Sequence, residues 1–264
     1  MRRALAATGA LLKREVVRFL RERNRVFGAL AQPVIFWALF GAGLGASFRP
    51  SGGGAGASYG EYFFPGTIIL ILLFTAIFST ISLIEDRREG FLQGVLVAPI
   101  PRASLVLGKV LGGTALALAQ GALILLCAPL IGIPLSAGMV GGSLAVMLSI
   151  AFGLTSLSFC IAWCMDSTQG FHAIMTVLLM PLWLLSGSFF PSAGAPAWLR
   201  LLMAADPLTY GVALFRRILY PAGGAVTAGL PGLMPSAVAT IAFGALSFGA
   251  ALALASRPSR KGAW

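Results

Sequence analysis

Residues 62–84 read Tyr-Phe-Phe-Pro-Gly-Thr-Ile-Ile-Leu-Ile-Leu-Leu-Phe-Thr-Ala-Ile-Phe-Ser-Thr-Ile-Ser-Leu-Ile, and none of these side chains carries a charge. A helix rises about 1.5 Å per residue, so about 20 apolar residues cross a hydrocarbon core roughly 30 Å thick. This stretch is long enough to do so. It stops abruptly at Glu85-Asp-Arg-Arg-Glu-Gly90, where the chain must meet water or headgroups.

Five more stretches pass the same test, at about 26–48, 106–133, 139–165, 170–190 and 233–256. Their middles lack ionisable side chains, as the cost of charge in lipid requires. Lys109 and His172 fall near span ends, within reach of the interface. The expected fold is an all-α membrane protein with six transmembrane helices. Composition agrees: 58% of the 264 residues are hydrophobic and 10% charged, against about 25% charged in soluble domains.

The formal charge of +11 does not mark a nucleic-acid partner, because the basic residues gather at the chain ends and in one internal loop. Arg2, Arg3, Lys13, Arg14, Arg18, Arg21, Arg23 and Arg25 precede the first span, and the loop after the second holds Arg87, Arg88 and Arg102 with Lys109 just beyond. The tail adds Arg257, Arg260 and Lys261, while only Arg49, Arg200, Arg216 and Arg217 fall on the other side. The positive-inside rule places both termini in the cytoplasm, which an even number of spans permits. Arg216 and Arg217 read as side chains snorkelling to headgroups.

Residues 1–25 form a separate unit before the six-helix domain of 26–264. Leu12, Val16, Phe19 and Leu20 recur at helical spacing opposite Arg14, Arg18, Arg21 and Arg25, which predicts an amphipathic helix lying in the headgroup layer. Its basic stretch is too long for the n-region of a cleavable signal. Ser51–Ser58 is a glycine-rich linker. Between the last two spans, 196–204 and 207–219 are apolar but too short to cross, and Asp206-Pro207 has the chemistry of a helix start. These segments read as helices that enter the outer leaflet and return.

The loop Glu85–Arg102 is the most informative polar segment. Asp86 with Glu89 resembles a capping box, Phe91, Val95 and Leu96 share a face, and Pro99 and Pro101 stop a helix over 86–98. Enzymatic signatures are missing. Gly108-Lys109 is followed by Val110 with no phosphate-cradling loop, and no HExxH or GxSxG occurs. Cys127, Cys160 and Cys164 lie in apolar runs and read as small buried hydrophobes. Asp166 stands alone as a helix-end cap or a partner contact. Gly41, Gly43, Gly45, Gly108, Gly112 and Gly113 invite close helix packing, either within one subunit or at a dimer seam.

Several blocks, in order along nearly the whole chain, resemble the ABC-2 type permeases: Phe64-Pro-Gly66, Glu85–Leu92, Pro99-Ile-Pro-Arg102, Leu107-Gly-Lys109, Leu185–Pro191, Pro196-Ala-Trp-Leu199 and Asp206–Tyr210. Many members carry asparagine where Asp206 stands. The resemblance implies a bacterial inner-membrane export subunit for a hydrophobic or lipid-linked cargo. It implies a second permease copy and a separate ATPase subunit that binds ATP and magnesium, with no cofactor in this chain. The helix between the second and third spans would be the coupling helix, with Glu85, Asp86, Arg87, Arg88, Glu89, Phe91, Leu92 and Arg102 as ATPase-coupling residues. Arg14, Arg18 and Arg21 would belong to the interfacial helix, and Phe189, Phe190, Pro191, Trp198, Pro207 and Tyr210 to an outer gate. The competing class is an ATP-independent secondary transporter or channel. Ion coupling usually needs titratable groups at membrane depth, and all eight acids read as lying at span ends or outside.

Overall fold

The computed structural model describes residues 2–44, 59–224, 226–227 and 229–257. The Ser51–Ser58 linker, Gly45, Arg49, Arg260 and Lys261 lie outside them. Ten α-helices follow one another in the described residues: α1 (Arg2–Arg21), α2 (Arg23–Leu44), α3 (Tyr59–Arg88), α4 (Phe91–Val97), α5 (Arg102–Leu125), α6 (Ala137–Cys164), α7 (Thr168–Trp183), α8 (Ala197–Ala205), α9 (Pro207–Leu219) and α10 (Leu233–Ser256). No strand is present among the described residues. Six helices are long and apolar enough to span a membrane: α2, α3, α5, α6, α7 with the turn that continues it, and α10.

The stretch that is apolar on every face becomes the axis of the bundle. A helix with no polar side has nothing to present to water and is stable when surrounded; α3 packs against α2, α5, α6 and α7, and is buried almost from Tyr59 to Asp86. The outermost spans, α2 and α10, leave Phe27, Ile35, Leu39, Val238, Ile241 and Leu246 exposed, as lipid-facing helices do.

Small residues set the closest approaches. A Cβ at Gly108 would stand 2.7 Å from Leu11 Cβ, and one at Gly112 would stand 2.8 Å from Glu15 Cβ. Side chains there would push α1 off α5. Gly113 faces Ser79 and Thr155, so these three glycines serve packing within one subunit. Gly41 faces Gly60 at 3.8 Å, whereas Gly43 has no neighbour within 4 Å.

Several local expectations are corrected. The third span ends at Leu125, not near 133, because a 3-10 turn over Ala128–Ile131, with Pro129 in it, breaks the apolar run. The helix expected over 86–98 is confined to Phe91–Val97. Asp86 stays inside α3, and Gly90, at φ 79°, separates the two helices. Only glycine adopts that left-handed backbone without a steric cost. The amphipathic helix is also rotated from its expected setting: Leu11, Glu15 and Phe19 are buried, while Leu20 is 58% exposed. It lies along α5. Cys127 and Cys164 are exposed, whereas Cys160 is half-buried with its thiol 3.6 Å from Ser247 O of α10.

Candidate functional site

The two ends of α3 hold nearly all the polar architecture. At one end, five of the chain's eight carboxylates gather: Glu15 and Glu22 from the N-terminal segment, and Glu85, Asp86 and Glu89 from the end of α3. Asp86 is fully buried and accepts from Arg14 Nη1 and Nη2 at 2.9 and 2.6 Å, and from Arg18 Nη1 at 2.6 Å. Lys109 Nζ bonds the same carboxylate and reaches Glu15 Oε1 at 2.6 Å. Ser82 donates to Glu15 at 2.5 Å and accepts from Lys109 at 3.0 Å. Glu85 accepts from Arg18 at 2.9 Å and from Arg25. The bond to Asp86 holds Arg14 even more firmly protonated than a free guanidinium.

Lys109 is therefore not a side chain reaching for the interface. It is 4% exposed, enclosed by α1 and α3 on either side. A buried ammonium is tolerated only with close counter-charges, which Glu15 and Asp86 supply. The sequence offered two signals for this cluster: a lone acid, Glu15, on a basic helix, and a lone Lys in an apolar run.

The expected coupling residues divide into two groups. Arg87 donates to the carbonyls of Trp163 and Met165 at 2.6 and 2.7 Å and pairs with Asp166 at 3.1 Å, which secures the C-terminus of α6. Arg102 donates to Ala255 O and Arg257 O at 2.9 and 3.0 Å and secures that of α10. Basic groups at helix C-termini satisfy orphan carbonyls and complement the helix dipole. Glu85, Asp86, Arg87 and Arg102 are thus engaged within the chain, and Leu92 is buried. Arg88, Glu89 and Phe91 are exposed, as is Arg21 of α1.

Beside them, α4 and α1 form an apolar groove of about 420 Å³, lined by Ala7, Ala10 and Leu11 of α1 and by Phe91, Gly94 and Val95 of α4. The Arg14 guanidinium sits 3.7 Å from the centre of the Phe91 ring, so the ion cluster also orients α4. A second, polar recess of about 400 Å³ lies at the same end, lined by Arg14, Val17, Arg18, Arg21 and Glu22.

The opposite end of α3 is built differently. Tyr62 and Tyr59 donate their hydroxyls to the carbonyls of Gly187 and Phe189 at 2.8 and 3.1 Å. Trp183 Nε1 donates to Gly66 O at 2.9 Å. Pro65 has no N–H, so the carbonyl of Glu61, four residues earlier, lacks its helical donor; Tyr220 OH supplies one at 2.7 Å. Burial pushes the Tyr220 hydroxyl's pKa up. The Phe189 ring sits at the centre of an aromatic cluster with Phe40, Tyr59, Phe63 and Trp183.

The expected gate residues do not form a single group. Phe189 is central, Phe190 and Pro191 are half-buried, and Trp198 is 65% exposed. Pro207 opens α9 with Asp206 as its cap, whose carboxylate accepts from Leu208 N at 2.9 Å. Burial raises Asp206 to a pKa of about 7. Thr209 and Tyr210 donate to Met203 O and Ala204 O at 2.6 and 2.9 Å, clasping α9 to α8. Arg216 is 1% exposed and so does not snorkel. Because α9 folds back on the first turn of α3, its guanidinium lies 4.0 Å from the Tyr62 ring centre and donates to Tyr62 O at 3.1 Å. Arg217 donates to Leu230 O and Pro231 O, each at 2.9 Å.

A family profile described as ABC-2 type transporter matches residues 6–220. The transport permease ycf38 of Cyanophora paradoxa is 28% identical over 76% of this chain and 70% of its own length. The inner membrane transport permease YhhJ of Escherichia coli is 28% identical over 54% of this chain and 38% of its own. The daunorubicin resistance ABC transporter permease protein DrrB1 of Streptomyces coeruleorubidus is 20% identical over 86% and 80%.

Proposed function

This chain belongs to the ABC-2 type transporter family, and we propose that it is the membrane half of an exporter driven by a separate ATPase subunit. It is a multi-pass transport permease subunit. The observation that carries the ATPase reading is the groove between α1 and α4, an apolar recess beside exposed Arg88 and Glu89. A partner helix or loop that buries apolar side chains in it would gain roughly 25 cal/mol for each Å² removed from water.

In this reading the charged end faces the cytoplasm, in keeping with the positive-inside rule, and the aromatic end faces outward across a bacterial inner membrane. The ATPase binds ATP and magnesium; this chain supplies the docking surface and the pathway. A second copy completes the pathway. Closure of two ATPases on ATP displaces α1 and α4, the displacement tilts the spans, and the re-entrant pair α8–α9 opens at the far side. Hydrophobic or lipid-linked molecules are the cargo class, a reading supported by the drug-resistance relative. The test is co-purification with the ATPase encoded beside this chain. Glu89→Arg, at a carboxylate 61% exposed, is expected to weaken the complex several-fold without unfolding the permease; an unchanged affinity would remove Glu89 from the contact.

A further inference from the structure

Lys109 stands on α5, yet its ammonium bonds Glu15 of α1 and both Asp86 and Ser82 of α3. Gly108 and Gly112 flank it, and they are the positions where the α1 side chains come down onto the backbone of α5. Lys109 therefore passes beside α1 at its closest approach and ties it to the central helix. Replacing a buried ion group by apolar side chains often leaves stability unchanged or improved, so stability alone does not account for three buried charges here. What directional ion pairs add is a fixed register between the helices that carry them.

We propose that Lys109 is a positioning residue that fastens α1 to α3 and α5, so that a displacement of α1 by a docked ATPase is carried along α3 to the aromatic end. The proposal rests on the ATPase-docking reading above. The path is continuous: α3 is one helix from Tyr59 to Arg88, and its first turn is bonded through Tyr59 and Tyr62 to the segment ahead of α8 and through Tyr220 to α9. Arg14 extends the same fastening to α4 through Asp86 and Phe91.

The decisive variant is Lys109→Met together with Glu15→Gln. Lys109→Met alone strips Glu15 of its closest cation and leaves only Arg14 at 3.3 Å. The double variant removes both charges, so no orphan is left buried, and Asp86 keeps Arg14 and Arg18. Spin labels at Leu20→Cys on α1 and Leu201→Cys on α8, both exposed, would report the distance between the two ends. The background is the full permease–ATPase complex in lipid vesicles, with Cys127, Cys160 and Cys164 replaced by serine. With the unaltered cluster, ATP and vanadate shift the label distance. The double variant binds the ATPase and hydrolyses ATP within twofold of the parent but loses the shift, and Lys109→Arg restores it. A double variant that shifts like the parent overturns the proposal. So does one that no longer assembles, because Lys109 would then be a folding residue. If the parent binds no ATPase, the docking reading itself fails, a result visible before any label is read.

Discussion

The two ends of α3 hold their neighbours by different chemistry. At the core of the charged end side chain meets side chain, and the carboxylates of Glu15, Glu85 and Asp86 are matched against Arg14, Arg18, Arg25 and Lys109; only its flanks, at Arg87 and Arg102, donate to backbone carbonyls. At the aromatic end side chains meet backbone, with Tyr59, Tyr62, Trp183, Arg216 and Tyr220 donating to carbonyl oxygens. A carbonyl keeps its place whatever residue carries it, and losing one donor strands one neutral acceptor. An ion cluster is less forgiving, since removing one charge strands its opposites. The charged end is thus expected to be the more sensitive to single substitutions, in keeping with the proposed transmission of a push in fixed register.

That contrast predicts a graded set of outcomes. Asp86→Ala has the largest effect, because Arg14, Arg18 and Lys109 lose their shared counter-ion. Breaking a buried pair costs about 3–5 kcal/mol, so detergent-solubilised variant is expected to melt well below the parent or to be recovered unfolded. A melting curve equal to the parent's would show that the cluster is solvated.

The next effect belongs to Asp206. Its folded pKa is raised to about 7 from the ordinary value of 3.8, so the folded state holds a proton that the unfolded chain releases. Stability from this group is fully present below about 3.8 and is lost as pH rises through about 7. Asp206→Asn keeps the helix cap and should flatten the dependence of melting on pH between 4 and 7. A slope that persists unchanged in the variant would assign it to another group.

The smallest effect is at the aromatic end. Tyr62→Phe removes one buried donor to Gly187 O and should cost about 1 kcal/mol, seen as a shift of a few degrees in melting. A loss as large as that of Asp86→Ala would erase the distinction between the two ends.

How far the sequence foretold this arrangement depends on whether a feature is local. The six spans were legible because an apolar run of that length has one stable setting. Asp206-Pro207 was legible for the same reason, since cap and first turn are adjacent. The start of α4 was misread because Asp86 fits a capping box by spacing, and only the tertiary fold reveals that Arg14, Arg18 and Lys109 claim its carboxylate. Lys109 and Arg216 were misread alike: a cation towards the edge of an apolar run looks free to reach water until another helix closes over it. Glu15 shows the limit most clearly. Its partner stands on α5, 94 residues away in sequence, and no periodicity connects them.

The central claim is that the groove between α1 and α4 receives the ATPase, and Gly94 tests it most directly. A Cβ placed there meets nothing within 4 Å, so Gly94→Trp can fill the groove while leaving the ion cluster and the fold intact. The measurement is the affinity of the purified permease for its ATPase, wild type beside Gly94→Trp, with melting curves as the control for folding. The account predicts at least a tenfold loss of affinity, about 1.4 kcal/mol, at unchanged melting temperature. Equal affinity for the two proteins would contradict it and place the docking surface elsewhere on the charged end.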